Sequence, residues 1–329
     1  MLLYFNSMLY SMYWRGNLRR QLNCKSLMEL SLFILFISDY YCPASGIIKI
    51  IGGRKAKRGE FPATVCYDGF SRCGGTLVTL EAVISAAHCF IRHKGHLHPN
   101  DIIIIGGVVN LNERSGEEQL SYVRDFIIHE KFERRQIIFD VYTLYDIALA
   151  FLESPFVVTE TVKPALFPAK DAEGMKHFLD KVRAKGASCF ATGYGVWAKK
   201  GRKKILSDNL KVAELRLLPD DECALETEMI GKEVCATSIG LSHRTAPGDS
   251  GSTFYCDGFV IGMAKGRSSF LTKGKNISTL IFTLIGPYID YFDLEVNEGS
   301  PSFQFYQVIF LCLLVCWHVS INGALLPVN

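Results

Sequence analysis

Between residues 50 and 292 the apolar positions come in short runs: PATVCY, GTLVTL, AVISAA, DIIIIGGVV, DIALAFL, FVIGMA and TLIFTLI. Glycines, prolines and charged residues separate them. Runs of this length, rich in Val, Ile and Thr, predict strands rather than helices. Their repetition with turn residues between them predicts an all-β domain, a sandwich or a pair of barrels. One segment differs. In IGPYIDYFDLE (285–295) the apolar residues Tyr288, Ile289, Tyr291, Phe292 and Leu294 are spaced for a short closing helix that starts near Pro287.

The two ends follow other patterns. LSLFILFI (30–37) is an apolar run preceded by Arg15, Arg19, Arg20 and Lys25 and followed by CPASG (42–46). Basic residues, a short greasy core and small residues predict a secretory signal inside a leader over 1–46, with cleavage after Gly46. The signal proper runs from about residue 28, since Met28 offers a start of ordinary length. At the other end, residues 296–329 carry FQFYQVIFLCLLVCWHVSI (303–321). Its strictly apolar part, Val308–Trp317, falls short of the roughly 20 residues that span a bilayer. A removable lipid-anchor signal, with Gly299, Ser300 and Ser302 ahead of it, reads equally well. Membrane attachment of either kind is set ahead of the alternative, a greasy extension packed on the domain.

Charge and cysteine content narrow the classes. Lys and Arg number 36 against 33 Asp and Glu, a net charge of +3, which gives no reason to expect a nucleic-acid partner. Eleven cysteines in 329 residues point to an oxidising compartment. No C-x-x-C pair occurs, and Cys312 and Cys316 lie inside an apolar run, so neither a metal nor another cofactor is expected. RHKGHLH (92–98) and KKGRKK (199–204) read as polar surface loops. Asn276-Ile277-Ser278 is an N-glycosylation acceptor in a secreted chain.

Three short motifs carry the candidate chemistry. Acyl transfer by a serine needs a base for its proton, an acid that orients the base, and backbone donors for the oxyanion. Ser250 in GDSG has small neighbours that allow a sharp turn. His88 in SAAHC is the candidate base, and Asp146, opening the apolar run DIALAFL, the candidate orienter. Each alone is ordinary: a surface histidine, a capping aspartate, a plain turn.

In combination they are not. IIGG, SAAHC, DIAL and GDSG follow one another in this order, and over about residues 50–292 the chain resembles the trypsin/chymotrypsin family of serine proteases. The resemblance implies two six-stranded antiparallel β-barrels with a short C-terminal helix and a site in the cleft between them. His88, Asp146 and Ser250 are then base, orienter and nucleophile, with the oxyanion hole formed by the N–H groups of Gly248 and Ser250. It implies a zymogen cut after Lys49 by an activating protease, so that the new ammonium of Ile50 pairs with Asp249. The propeptide is then 47–49 and the protease domain 50–295. It also implies disulfides Cys73–Cys89, Cys189–Cys256 and Cys223–Cys235. Cys66 is left over, as a buried free thiol or, alternatively, an intermolecular link.

The chain departs from the family around the specificity pocket. Arg244 stands where trypsin-like members carry an aspartate at the pocket base. Lys265 replaces a small residue that assists the buried aspartate, and Leu280 a glycine that keeps the pocket open. Ala246-Pro247 replaces Cys-Gln, removing a pocket disulfide. Two functions follow. One is a secreted or membrane-tethered serine endopeptidase of non-tryptic specificity, acting on a protein or peptide substrate. The alternative is a catalytically weak homologue that acts as a binding or regulatory protein.

Overall fold

The computed structural model describes residues 53–295, apart from 93–94, 114, 138–139, 201–202, 225–231, 240–247, 269–270, 273–274 and 277–278. Contacts divide the chain at Ile47/Ile48, and the first unit, with its expected leader, lies outside the described residues. So do the Lys49–Ile50 junction and the apolar tail. No helix among the described residues is long and apolar enough to cross a membrane.

The first half closes as a barrel. Its strands are β1 (Thr64–Asp68), β2 (Arg72–Thr79), β3 (Ala82–Ser85), β4 (Ile103–Gly106), β5 (Gln119–Ile128) and β6 (Ala148–Leu152). They pair antiparallel in the order β6-β3-β2-β1-β4-β5, and β5 returns to β6. Val65, Tyr67, Leu77, Val83, Ile104, Val123 and Ala150 fill the interior. The second half uses β7 (Cys189–Gly193), β8 (Lys211–Leu217), β9 (Glu233–Ser238), β10 (Thr253–Cys256), β11 (Phe259–Ser268) and β12 (Thr279–Leu284). Its order is β8-β7-β10-β11-β12-β9, and the β8–β9 pairing completes the ring. The short strand Arg54–Lys55 adds to β8 at its edge. The fold is thus the expected pair of six-stranded antiparallel barrels, closed so that neither presents a long free edge.

Apolar cores alone do not fix two barrels against each other. A seam of buried hydroxyls does this directionally. Thr64 meets Thr192 and Tyr255 at 3.1 Å each, Thr76 donates to Thr253 at 2.9 Å, and Thr253 donates to the carbonyl of Gly75 at 3.0 Å. Each satisfied buried bond of this kind contributes about 1 kcal/mol and holds one register across the interface.

In the chain between the strands of the first barrel and those of the second comes α1 (Ala172–Lys185), which the strand-like reading of the sequence overlooked. Asp171 caps it by accepting from the Gly174 N–H at 2.6 Å, and Gly186, at φ 60°, ends it. Met175, Leu179 and Val182 bury one face against the second core. The chain closes on two helical turns of the 3-10 type, Gly286–Tyr288 and Asp290–Phe292, packed beneath both barrels.

Three disulfides brace the loops: Cys73–Cys89, Cys189–Cys256 and Cys223–Cys235. Cys66 is free and fully buried on β1, and burial pushes its thiol up to about 12. That leaves the intermolecular link without an accessible sulfur.

Candidate active site

His88 sits in a single 3-10 turn, Ala87–Phe90, that follows β3. The turn is held from two sides: Cys89 is bonded to Cys73 on β2, and its carbonyl accepts from the buried hydroxyl of Tyr67 at 2.9 Å. Asp146 lies at the entrance to β6, just after Tyr145, whose φ of 50° turns the chain sharply. Its side chain has no exposed surface, while that of His88 is 29% exposed.

These two residues, 58 apart in sequence, meet twice. Nδ1 of His88 lies 2.7 Å from Oδ2 of Asp146, and the His88 backbone N–H donates to Oδ1 at 3.0 Å. Thr143 donates a third bond, to Oδ2, at 2.7 Å. The charge balance follows. Burial opposes ionisation of Asp146, but the His88 charge and these three donors prevail and hold the carboxyl below its ordinary value. Burial likewise opposes the His88 imidazolium. The Asp146 carboxylate outweighs it, against weaker repulsion from Arg134 and Lys265, so the imidazole is raised.

Ser250 belongs to the other barrel, in the loop that leads into β10. Gly248 there has φ 98° and Gly251 φ 75°. A Cβ on Gly251 would run into the Ser85 hydroxyl and, at 2.6 Å, into the Gly74 carbonyl, so only glycine lets the loop approach the first barrel this closely. Three backbone bonds fix the loop. Gly74 N–H donates to the Ser250 carbonyl at 2.8 Å, Gly251 N–H to Ala264 at 2.7 Å, and Ala264 N–H to Ser252 at 2.8 Å. Gly74 adjoins Cys73, whose disulfide partner adjoins His88. The half-buried serine and the histidine are therefore tied through one backbone bond and one disulfide. Among the described residues no hydrogen bond joins the Ser250 hydroxyl to the imidazole.

Asp249 is buried, and its carboxylate accepts from the Gly195 N–H at 2.8 Å. A side chain on Gly195 would collide with that carboxylate. Lys49 and Ile50, the expected activation residues, lie outside the described residues, as do Arg244, Ala246 and Pro247.

Of the expected pocket residues, Lys265 and Leu280 are described, and both are buried. Leu280 has no exposed surface and packs with Phe254, Phe282 and Ala264 in the second core. Lys265 sits at a bulge in the β11–β12 pairing and reaches Oε1 of Glu233 at 3.3 Å. Asn276 lies on a two-residue strand, Lys275–Asn276, paired with Leu271–Thr272, and Ser278 of its acceptor motif is outside the described residues.

Sequence reasoning missed Thr143, which donates to Asp146, and Glu233, which pairs with Lys265. Nothing in their local pattern marks them, since each meets its partner only through the tertiary fold. Tyr145 and His129 carry no motif either. His129 is sandwiched between Tyr145 at 4.9 Å and Tyr291 at 4.1 Å, with Tyr288 edge-on at 5.3 Å.

Comparison with known proteins agrees with this geometry. The family described as Trypsin matches residues 50–286. Bovine (Bos taurus) coagulation factor XI is 27% identical over 270 residues, covering 79% of this chain. The chain spans only 40% of the length of that relative. The double barrel, the three disulfides and the family match lead to one conclusion: this chain belongs to the trypsin family of serine proteases.

Proposed function

We propose that the chain is a secreted serine endopeptidase, made as a zymogen and activated by cleavage after Lys49. Ser250 attacks the scissile carbonyl, while His88 takes the serine proton and later passes it to the leaving amine. Asp146 keeps the imidazole oriented and stabilises its cationic form. The N–H groups of Gly248 and Ser250 receive the oxyanion. The observation that carries this reading is the 2.7 Å contact between His88 and a fully buried Asp146 carboxylate. The missing serine–imidazole bond does not weigh against it, because such bonds are often long before substrate binds.

Activation follows from Asp249. A carboxylate already buried beside Gly195 offers a new Ile50 ammonium a partner in low dielectric. That pairing would fix the Gly248 N–H. Specificity is non-tryptic, because Arg244 brings the sign opposite to the one that selects Lys or Arg. The substrate is a protein or peptide, and three disulfides fit an extracellular site of action.

A second reading, a weakly catalytic homologue that binds a partner, is favoured by one observation. Leu280 occupies the second core where the family keeps a glycine, which narrows the space for a substrate side chain. Digestion of a peptide library by the Lys49-cleaved chain, beside its Ser250→Ala variant, tests both. Serine-dependent cleavage after residues other than Lys and Arg supports the endopeptidase. Absence of any serine-dependent product supports the homologue.

A further inference from the structure

His129 immediately follows β5, and it holds the residues on both sides of Asp146. Its backbone N–H donates to the Ile147 carbonyl at 3.1 Å, and its ring stacks on that of Tyr145 at 4.9 Å and 20°. Between these two holds the chain turns tightly. The Ile147 N–H donates back to the Tyr145 carbonyl at 2.8 Å, across Asp146. Tyr145 itself has φ 50°, a left-handed conformation that a bulky residue keeps only where its surroundings fix it.

The imidazole is in turn held from the end of the domain. Tyr291, in the closing turn Asp290–Phe292, stacks on it at 4.1 Å and 18°, and the Tyr291 hydroxyl accepts from the Glu130 N–H at 3.1 Å. Tyr288 meets the same ring edge-on at 5.3 Å, and Nδ1 accepts from the Lys131 N–H at 3.1 Å. His129 is only 4% exposed, so these contacts fix both the plane and the rotation of its ring. Three stacked rings thus tie the closing turns to the segment that presents Asp146.

We propose that His129 is a positioning residue, whose ring stack and backbone bond hold the Tyr145–Ile147 turn so that the Asp146 carboxylate meets His88. That carboxylate faces the His88 ring and the His88 backbone N–H at once, an arrangement that tolerates little rotation of the turn beneath it. For turnover the inference rests on the endopeptidase reading. For the geometry of the His88–Asp146 pair it does not.

The test uses the full chain carrying Ser250→Ala, so that no turnover is needed. NMR reads the titration of the His88 ring, assigned by His88→Gln, and the low-field resonance of the proton between Nδ1 and Asp146. His129→Ala removes the ring and His129→Phe keeps the stack. Tyr291→Ala, at a residue 41% exposed, removes the second ring and is the more readily tolerated deletion. A loosened Asp146 supports the imidazolium less. The His88 midpoint should therefore fall by about 0.5 pH or more in whichever ring-deleted chain folds, and stay within about 0.2 in the phenylalanine variant. Loss of a neighbouring cation would by itself raise the midpoint, so the sign separates positioning from charge. An unmoved midpoint and an unchanged low-field resonance in a folded, ring-deleted chain would overturn the proposal, as would an equal fall in His129→Phe. In chains that keep Ser250 and cleave peptide, His129→Ala should lower kcat by about tenfold or more with KM little changed. A midpoint that falls in a protein without turnover would uphold the positioning and count against the endopeptidase reading instead.

Discussion

Thr143 and His88 share one oxygen: both reach Oδ2 of Asp146 at 2.7 Å, while the His88 backbone N–H holds Oδ1. Three donors hold the carboxylate from the protein side. Its orientation is therefore set before any substrate arrives. Thr143→Val keeps the shape and removes one donor from a fully buried anion. The loss expected at pH 7 is about 1–3 kcal/mol by chemical denaturation. Full stability in that variant would mean that the hydroxyl contributes nothing.

The His88–Asp146 pair also gives a pH window. Asp146 is held below its ordinary value, so its contribution is present above about pH 4 and is lost as pH falls through the lowered folded value. His88 is held above its ordinary value, so its contribution is full below about pH 6.5 and is lost as pH rises through the raised one. The pair stabilises most between these limits. In the Ser250→Ala chain, Tm against pH should show a broad maximum near pH 5–6 that His88→Ala flattens. An unchanged profile would contradict the coupling.

His129 has the opposite sign. Burial, aided by Lys232 and Lys131, lowers it, and its Nδ1 accepts from the Lys131 N–H at 3.1 Å. The fold binds the neutral ring between Tyr145 and Tyr291. Stability from this site is present above about pH 6.5 and is lost as pH falls toward the lowered folded value. His129→Phe retains the stacking but cannot be protonated. Relative to the parent it should lose stability at pH 7.5 and recover part of that difference by pH 5, measured by thermal melts.

The disulfides should rank by the chain they close. Cys189–Cys256 spans 67 residues and Cys223–Cys235 spans 12. Replacing each pair by alanine is expected to cost about 4 kcal/mol for the first and about 3 kcal/mol for the second. Denaturant midpoints of the two variants give the order directly, and a larger loss from the shorter loop would contradict the entropic account.

What the sequence made legible was local. GDSG, SAAHC and DIAL are short, and each places its residue at a turn, a 3-10 turn or a strand entrance, which a short motif can encode. The alternating runs gave the barrels. α1 was legible in principle, through Asp171, Gly186 and the i, i+4, i+7 positions of Met175, Leu179 and Val182, but its charged solvent face masked the pattern. The Lys265–Glu233 pair was not legible. It depends on the register of β9 with β12 and on a bulge in β11, and no local motif encodes a partner 32 residues away. Leu280 shows the same limit: its burial in the second core beside Phe254 and Phe282, whose rings stack at 3.8 Å, follows from strand register and not from any local motif.

The most direct measurement of the central claim is covalent labelling with a fluorophosphonate after cleavage at Lys49, mapped by peptide mass spectrometry. The account predicts a single adduct on Ser250, abolished by His88→Ala and much reduced in the uncleaved chain. A cleaved, folded chain that leaves Ser250 unlabelled, or that labels equally without His88, would contradict it.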